Sequence, residues 1–266
     1  MPSRTSIGWC DLTSNPLYAV RKSDGKRGWW CSKVSPGCAH CYAEVLNKRW
    51  GNEVPYLPAN VDDIEWRLDE RELGALVRRR KPARIFLGSM TDVFHPTIPG
   101  ELLREVFLQI AIAHHHTFQV LTKRPREAKE FLDTLGGVFA SDMWPLPNLW
   151  LGVSVENQWW AEERIPVLLT LPAAVRFVSC EPLLGPLDLN RWLMPRRYRA
   201  IDWGIIGGES GPACRVMDID WARDLLGSFG AASVPVFFKQ SSDRFPGRGR
   251  ELDGETFEQF PEGATR

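Results

Sequence analysis

Cys31, Cys38 and Cys41 stand in the run Cys31-Ser-Lys-Val-Ser-Pro-Gly-Cys38-Ala-His-Cys41. Thiolates this close on a loop containing Pro36 and Gly37 can converge on one metal centre. Three ligands leave a tetrahedral ion or an iron–sulfur cubane one position short, and an open position is where such a centre reacts. The other chemistry-bearing residues fall in short polar clusters: Asp11 and Asn15, Ser89-Met90-Thr91-Asp92, Thr122-Lys123-Arg124, Ser154-Val155-Glu156-Asn157, Ser179-Cys180-Glu181, Gly207-Gly208-Glu209-Ser210 and Lys239-Gln240. Short Ser, Asp and Asn side chains at such points cap helices, which accounts for some of them. Lys123, Arg124, Glu181 and Glu209 are poor caps and point instead to binding or proton chemistry.

Almost every cluster closes a short apolar run, and the runs alternate with segments of helical period. Strands are expected at Ser6 to Leu12, Arg84 to Gly88, Phe118 to Thr122, Leu149 to Val155, Val175 to Ser179, Asp202 to Ile206 and Val234 to Lys239. Helices are expected at Tyr42 to Trp50, Glu70 to Arg80, Gly100 to His115, Arg126 to Leu135, Gln158 to Leu169 and Trp221 to Phe229. The spacing of Leu102, Leu103, Val106, Phe107, Ile110 and Ala113 shows the period best. Continuous apolar strands alternating with helices predict a parallel sheet covered by helices, as a closed or partial barrel or an open doubly wound sheet. The carboxyl ends of parallel strands share one face, so the polar strand ends should be neighbours around a single site.

At 266 residues, 44% of them hydrophobic, the chain can bury one substantial core, and a single α/β domain is the simplest reading. Lys plus Arg and Asp plus Glu number 33 each, so no global field recruits polyanions and nucleic-acid contact would rest on local patches. The N-terminus leads into no apolar signal region and no stretch is long enough to span a bilayer, so a soluble, cytoplasmic protein without membrane contact is expected. In a reducing compartment the clustered cysteines read as metal ligands rather than disulfides. The Pro- and Gly-containing segment from Ser241 reads as a loosely packed tail.

Several blocks taken together resemble a phage-associated family of three-cysteine-motif proteins related to the radical S-adenosylmethionine superfamily. They are the N-terminal strand, the Cys-rich loop after it, Cys-Tyr-Ala-Glu from Cys41 to Glu44, and the later Gly-Ser-Met-Thr-Asp, Leu-Thr-Lys-Arg-Pro, Cys-Glu-Pro-Leu-Leu and Gly-Gly-Glu-Ser-Gly. The resemblance runs from Ile7 to Gln240 and implies an α/β fold, a partial or complete parallel (β/α) barrel of the radical type in one domain. Residues 1–240 would form the barrel, with a cluster-binding loop at 31–41, and 241–266 a C-terminal tail or extension. It further implies a [4Fe-4S] cluster on Cys31, Cys38 and Cys41, reductive cleavage of S-adenosylmethionine, and an electron donor of the flavodoxin or ferredoxin type.

By the same analogy, Ser89, Thr91 and Asp92 would meet the methionine amine, Lys123 or Arg124 its carboxylate, and Ser154 or Glu156 the ribose. His40 takes the position before the last cysteine, often aromatic in that superfamily and packed on adenine. Cys180, Glu181 and Glu209 become the catalytic candidates, and Ser210, Lys239, Gln240 and His95 the substrate-binding ones. The expected chemistry is hydrogen abstraction followed by isomerisation or lyase-type cleavage, with a modified nucleobase in phage-type DNA, or a nucleotide, as substrate; a separate partner protein carrying the substrate is a further reading. Two features depart from the superfamily. Six residues rather than three separate the first two cysteines, and Gly207-Gly208-Glu209 falls after a late strand, so Glu209 is not assigned to the methionine amine.

The rival account is a structural zinc site completed by His40 or Cys10, in a nucleic-acid-binding module without catalysis. Cys10 otherwise reads as a packed thiol, and Cys180 as a thiol facing either the site or the core. His114-His115-His116 closes a helix, where imidazoles suit the C-terminal dipole better than a metal. Trp29-Trp30 and Trp159-Trp160 flank the expected site loops. Arg78-Arg79-Arg80-Lys81 and Arg196-Arg197-Tyr198-Arg199 read as solvated charge, with phosphate tracking as the alternative.

Overall fold

A computed structural model describes residues 2–140, 142–194 and 199–262. The chain opens with β1 (Ser3–Arg4) and β2 (Leu12–Ser14), then β3 (Leu17–Arg21), β4 (Arg27–Gly28), helix α1 (Tyr42–Trp50) and β5 (Ile64–Leu68). Helix and strand then alternate through α2 (Glu70–Arg78), β6 (Arg84–Leu87), α3 (Gly100–Ile112), β7 (Thr117–Thr122), α4 (Pro125–Leu135), β8 (Leu149–Ser154), α5 (Gln158–Leu168) and β9 (Val175–Cys180). Short α6 (Asn190–Leu193), β10 (Trp203–Gly207), α7 (Ile219–Ala231), β11 (Val236–Gln240) and a hairpin of β12 (Glu251–Leu252) and β13 (Glu255–Thr256) complete the described chain.

The main sheet has the order β1-β2-β6-β7-β8-β9-β10-β11. Only β1 pairs antiparallel; every pairing from β2 to β11 is parallel. Phe86 on β6 and Trp203 on β10 would stand roughly 19 Å apart in a flat sheet. Both nevertheless pack on Trp9, with ring centroids 4.6 and 6.3 Å away, so the sheet curls into a half-barrel around that residue. The floor of the curl is apolar: Trp9, Cys10, Phe86, Trp150, Val175, Phe177, Trp203, Ile205 and Phe237 form one cluster. Gly152 is required there, because a Cβ at that position would lie 2.3 Å from the Phe177 ring.

A second and larger core lies between the sheet's outer face and the helices. Leu103, Val106, Phe107 and Ile110 of α3 pack there as their period predicts, with Ala128 and Leu132 of α4, Ile165 of α5 and Phe229 of α7. Asp69, Asn157 and Asp218 cap α2, α5 and α7 by accepting from Glu72, Trp160 and Asp220 amides.

Four features depart from the sequence reading. The first core strand is Leu12–Ser14, not Ser6 to Leu12; Ile7 to Cys10 turns, with Cys10 N bonded to Ile7 O, and drops Trp9 into the floor. A three-stranded antiparallel sheet, β4-β3-β5, precedes the alternating region and leads into the cysteine loop. Beyond Gln240 the described chain is mostly exposed but is tied to the barrel at several points: Leu252 is buried, Phe260 lies on Trp203 and Trp203 Nε1 donates to Gln259 O. The histidine run serves a neighbouring helix, since His115 and His116 each place Nε2 at a carbonyl, Arg79 O and Leu76 O, at the C-terminal end of α2. Arg196, Arg197 and Tyr198 lie outside the described residues. No helix among those described is long and apolar enough to cross a membrane.

Candidate functional site

Strand alternation decides which residues face the inside of the curl. From the floor upward, parallel register places Trp150 beside Val175, then Gly152 beside Phe177, then Ser154 beside Ser179. The same inward set continues to Glu181 just past β9, Gly207 on β10 and Lys239 on β11, where Glu181 and Lys239 form an ion pair. A Cβ on Gly207 would lie 3.3 Å from the Glu181 carboxyl carbon, so the glycine makes room for this pair. The interior thus passes from aromatic floor to polar mouth, and the mouth is at the carboxyl ends of the strands.

The cysteine loop crosses this mouth, running from Trp29 to the start of α1, and two carboxylates hold it. Glu156, just past β8, is fully buried and accepts from Ser35 Oγ at 2.5 Å on one oxygen and from Arg164 Nη1 at 2.8 Å on the other. Lys123 Nζ lies 3.7 Å from the same carboxylate. Gly37 passes so close that a Cβ there would sit 2.5 Å from Glu156 Oε1. Glu209, just past β10, accepts from Arg215 N and Nε at 2.8 and 3.0 Å and lies 2.9 Å from His40 Nδ1. Arg215 Nη2 in turn donates to Pro36 O at 3.0 Å. Burial works to raise the Glu209 carboxyl, but hydrogen bonds from Arg215 and His40 outweigh it and hold its pKa at about 2.

The loop's entrance is fixed from below. Arg124 Nη2 donates to Ser32 O and Oγ at 3.1 and 2.7 Å, and Ser32 Oγ lies 2.8 Å from His95 Nε2. His95 packs edge-on to Trp30 and is almost fully buried; burial first, and Arg124 second, press its pKa down to about 3. Asp92 accepts from Thr122 Oγ1 and from the amides of Lys123 and Phe94, which ties the ends of β6 and β7 together.

Most sequence-predicted site residues meet at this mouth, though several in other roles. Cys31, Cys38, Cys41, Asp92, Lys123, Ser154, Glu156, Glu181 and Lys239 gather there. Ser89 is bonded to Asn15, and its carbonyl accepts from Tyr42. Thr91 is buried with its hydroxyl unpartnered. Arg124, Glu209 and Glu156 hold the loop, to which His40 itself belongs, so they shape the site rather than line its opening. His95 is enclosed under the loop and does not meet the opening as a substrate ligand would. Gln240 is buried, donating to Gly208 O and accepting from Gly247 N, a structural tie. Ser210 bridges to Asp243 at the edge of the mouth.

Cys180 needs a correction. Its neighbours Phe177 and Ser179 point inward, so Cys180 points outward, fully buried in the helix-facing core, where desolvation raises its pKa. It is a packed thiol that does not face the site. Cys10 is the converse, an inward floor residue whose burial pushes its pKa up to about 12.

Sequence reasoning missed Tyr42, Arg164, Arg215 and Ser35. Tyr42 extends its hydroxyl to 2.5 Å from Ser89 O, within electrostatic reach of Cys41 and Glu181. The signal for Tyr42 was its place directly after the last cysteine. Arg164 sits inside a helix with nothing in the sequence to mark it, yet it is 2% exposed, stacked 4.1 Å over Trp160, and lacks partners for Nε and Nη2.

The donor set suits a thiophilic centre. All three thiols are free and half-buried, and Cys41 lies within electrostatic reach of both Cys31 and Cys38. Desolvation pushes the Cys31 thiol up to about 12 and raises Cys41, so thiolates here need a cationic partner. As the side chains stand, no three His, Cys, Asp or Glu among the described residues are gathered as around a single metal ion. For an amino-acid head group the mouth offers both charges, at Lys123 and Glu181.

No curated protein and no solved structure matches the chain. One family model does, over residues 4–261, and its description is Protein of unknown function (DUF5131). That match takes in the sheet, the cysteine loop and both carboxylates that hold it, and the chain therefore belongs to the DUF5131 family.

Proposed function

We propose that the protein is a radical S-adenosylmethionine enzyme whose cysteine loop carries a [4Fe-4S] cluster. The observation that carries this reading is the seat of Cys31, Cys38 and Cys41, on a loop held across the carboxyl-end mouth of a parallel half-barrel by Glu156 and Glu209. When bound, the cluster and S-adenosylmethionine would supply a 5′-deoxyadenosyl radical able to take hydrogen from an unactivated carbon.

The chain's own residues serve this chemistry by position and exclusion. Cys31, Cys38 and Cys41 would hold the cluster. Lys123 and the Glu181–Lys239 pair present charge at the mouth, fitting an amino-acid head group, while Ser154 and Ser179 provide hydroxyls on the inner wall. Tyr42 spans from α1 to the end of β6 and narrows the opening beside Cys41. The aromatic floor keeps water from entering below, which protects a reactive intermediate from quenching. A rearranged or cleaved nucleobase of phage-type DNA fits this reading as substrate, with isomerase or lyase outcome.

Anaerobic purification tests the proposal. A brown protein with near-stoichiometric iron and sulfide, lost in Cys38→Ala, and 5′-deoxyadenosine formed from S-adenosylmethionine under reduction are the expected results. A colourless protein containing one zinc refutes it.

A further inference from the structure

Arg124 is a buried cation short of acceptors. It stands at the start of α4, 8% exposed, and its Nε has no hydrogen-bond partner. Of the two fork atoms, Nη2 is committed to Ser32 O and Oγ, while Nη1 lies 3.7 Å from Oε1 of Glu127, a partly exposed carboxylate. A desolvated guanidinium with an orphaned N–H is costly, and it points to negative charge that the protein's own acceptors do not supply.

Cys31 supplies that charge when it binds a metal. Its thiol lies 3.7 Å from Ser32 O as a donor, and Arg124 Nη2 donates to the same oxygen at 3.1 Å. The guanidinium and the first cysteine therefore meet at one carbonyl. A metal-bound cysteine has given up its proton, so the S–H donor is gone and a thiolate faces the carbonyl's lone pairs. Arg124 then keeps the carbonyl satisfied and sets a positive charge against the sulfur. Asp92 is the opposing charge within reach of Cys31, and its carboxylate is taken up by Thr122 Oγ1 and the amides of Lys123 and Phe94. His95, at Ser32 Oγ, is neutral and adds none.

We propose that Arg124 is a positioning residue for charge, a buried cation beside Cys31 that raises the reduction potential of the cluster. The inference rests on the proposed function and names a residue that governs its electron step without meeting the substrate. Reduction by a low-potential one-electron donor adds one electron and no proton, so the charge on the loop falls by one. A fixed cation in a desolvated setting favours the more negative state.

The test is a redox titration of the whole, cluster-loaded protein with dithionite, read by electron paramagnetic resonance of the reduced cluster, with iron measured on every sample. Arg124→Gln keeps an N–H for Ser32 and removes the charge, whereas Arg124→Lys keeps the charge and removes the fork. At the potential where the unaltered cluster is half reduced, the ratio of reduced to oxidised cluster should fall about tenfold in Arg124→Gln, or about 59 mV for one electron, and less than about threefold in Arg124→Lys. Glu127→Gln leaves Arg124 in place and removes its partly exposed counter-charge, so it should shift the ratio the other way at low salt and less at high salt. An unchanged ratio in Arg124→Gln at full iron content, or equal shifts in the Gln and Lys variants, overturns the charge role and leaves the cluster reading standing. Where Arg124→Gln holds no iron, Glu127→Gln decides, and no shift at low salt overturns the proposal. An unaltered protein with no iron–sulfur signal refutes the reading beneath it.

Discussion

Replacing Glu156 by Ala should cost more stability than any other single change at the mouth. The carboxylate is fully buried and pairs with Arg164, itself 2% exposed, at 2.8 Å. Removing one member of a buried ion pair costs about 3–5 kcal/mol, because the other charge stays desolvated and alone. Arg164 is poorly placed to absorb the loss, since Nε and Nη2 already lack partners and only Ser154 O would remain for Nη1. For 266 residues, unfolding entropy is about 0.56 kcal/mol/K, so the melting temperature should fall by about 5–9 °C. Glu156→Gln should cost less, about 2 kcal/mol, because an amide can still accept from Arg164 and donate to Ser35 Oγ. The Glu156–Ser35 bond also predicts a local effect. Losing a hydrogen bond to a charged acceptor, worth about 1.5–3 kcal/mol, should speed thiol-reagent modification of Cys38 in the metal-free protein by about tenfold or more. Urea unfolding of Glu156→Ala, Arg164→Met and the double variant supplies the coupling energy. A coupling below about 0.5 kcal/mol, with Cys38 no more reactive, would refute the view that Glu156 anchors the loop through a buried pair.

Three further outcomes follow from the packing. His95 is neutral when folded and titrates near pH 3, whereas the unfolded imidazole titrates near its ordinary value of 6.5. The unfolded state therefore binds the extra proton between these values, and stability should fall as pH drops from 6.5 toward 3, by up to about 1.4 kcal/mol per pH unit; denaturant titrations of His95→Gln should show a shallower slope over that window, and an unchanged slope would contradict the burial. Gly152→Ala pushes a Cβ into the Phe177 ring and should destabilise by about 1–3 kcal/mol, with part of the loss recovered by adding Phe177→Leu. Cys180→Ala should leave 5′-deoxyadenosine release unchanged while costing about 1 kcal/mol in thermal unfolding, since its thiol faces the outer core.

The alternation of strand and helix was legible because each strand from β6 to β11 is an apolar run bounded by polar residues, and parallel pairing buries both faces. Leu149–Ser154 and Val175–Cys180 are buried at every position. That same continuity hid which side chains face inward, so Cys180 read as a site residue when Ser179 holds that place. The first strand was misplaced because Trp9 is apolar for a different reason: it fills the floor of a curl that only tertiary packing creates. The polar strand ends were recognised, yet their partners were not. Arg164 and Arg215 lie eight and six residues beyond the carboxylates they hold, and no periodicity marks such a pairing.

These partners explain why the cysteine spacing can be wide. Added loop length by itself costs little closure entropy, but a longer loop has more conformations in which three thiols fail to meet. Here residues between Cys31 and Cys38 are the ones that are held: Ser32 by Arg124, Ser35 by Glu156, Pro36 by Arg215. Glu156 and Glu209 follow β8 and β10, strands with one other between them, so their anchors are spaced by roughly 10 Å of sheet. The curl of that sheet is fixed in turn by Trp9, Phe177 and Trp203 in the floor. Loop shape is thus inherited from the barrel, and a residue that spreads the floor should loosen the cysteines without touching them.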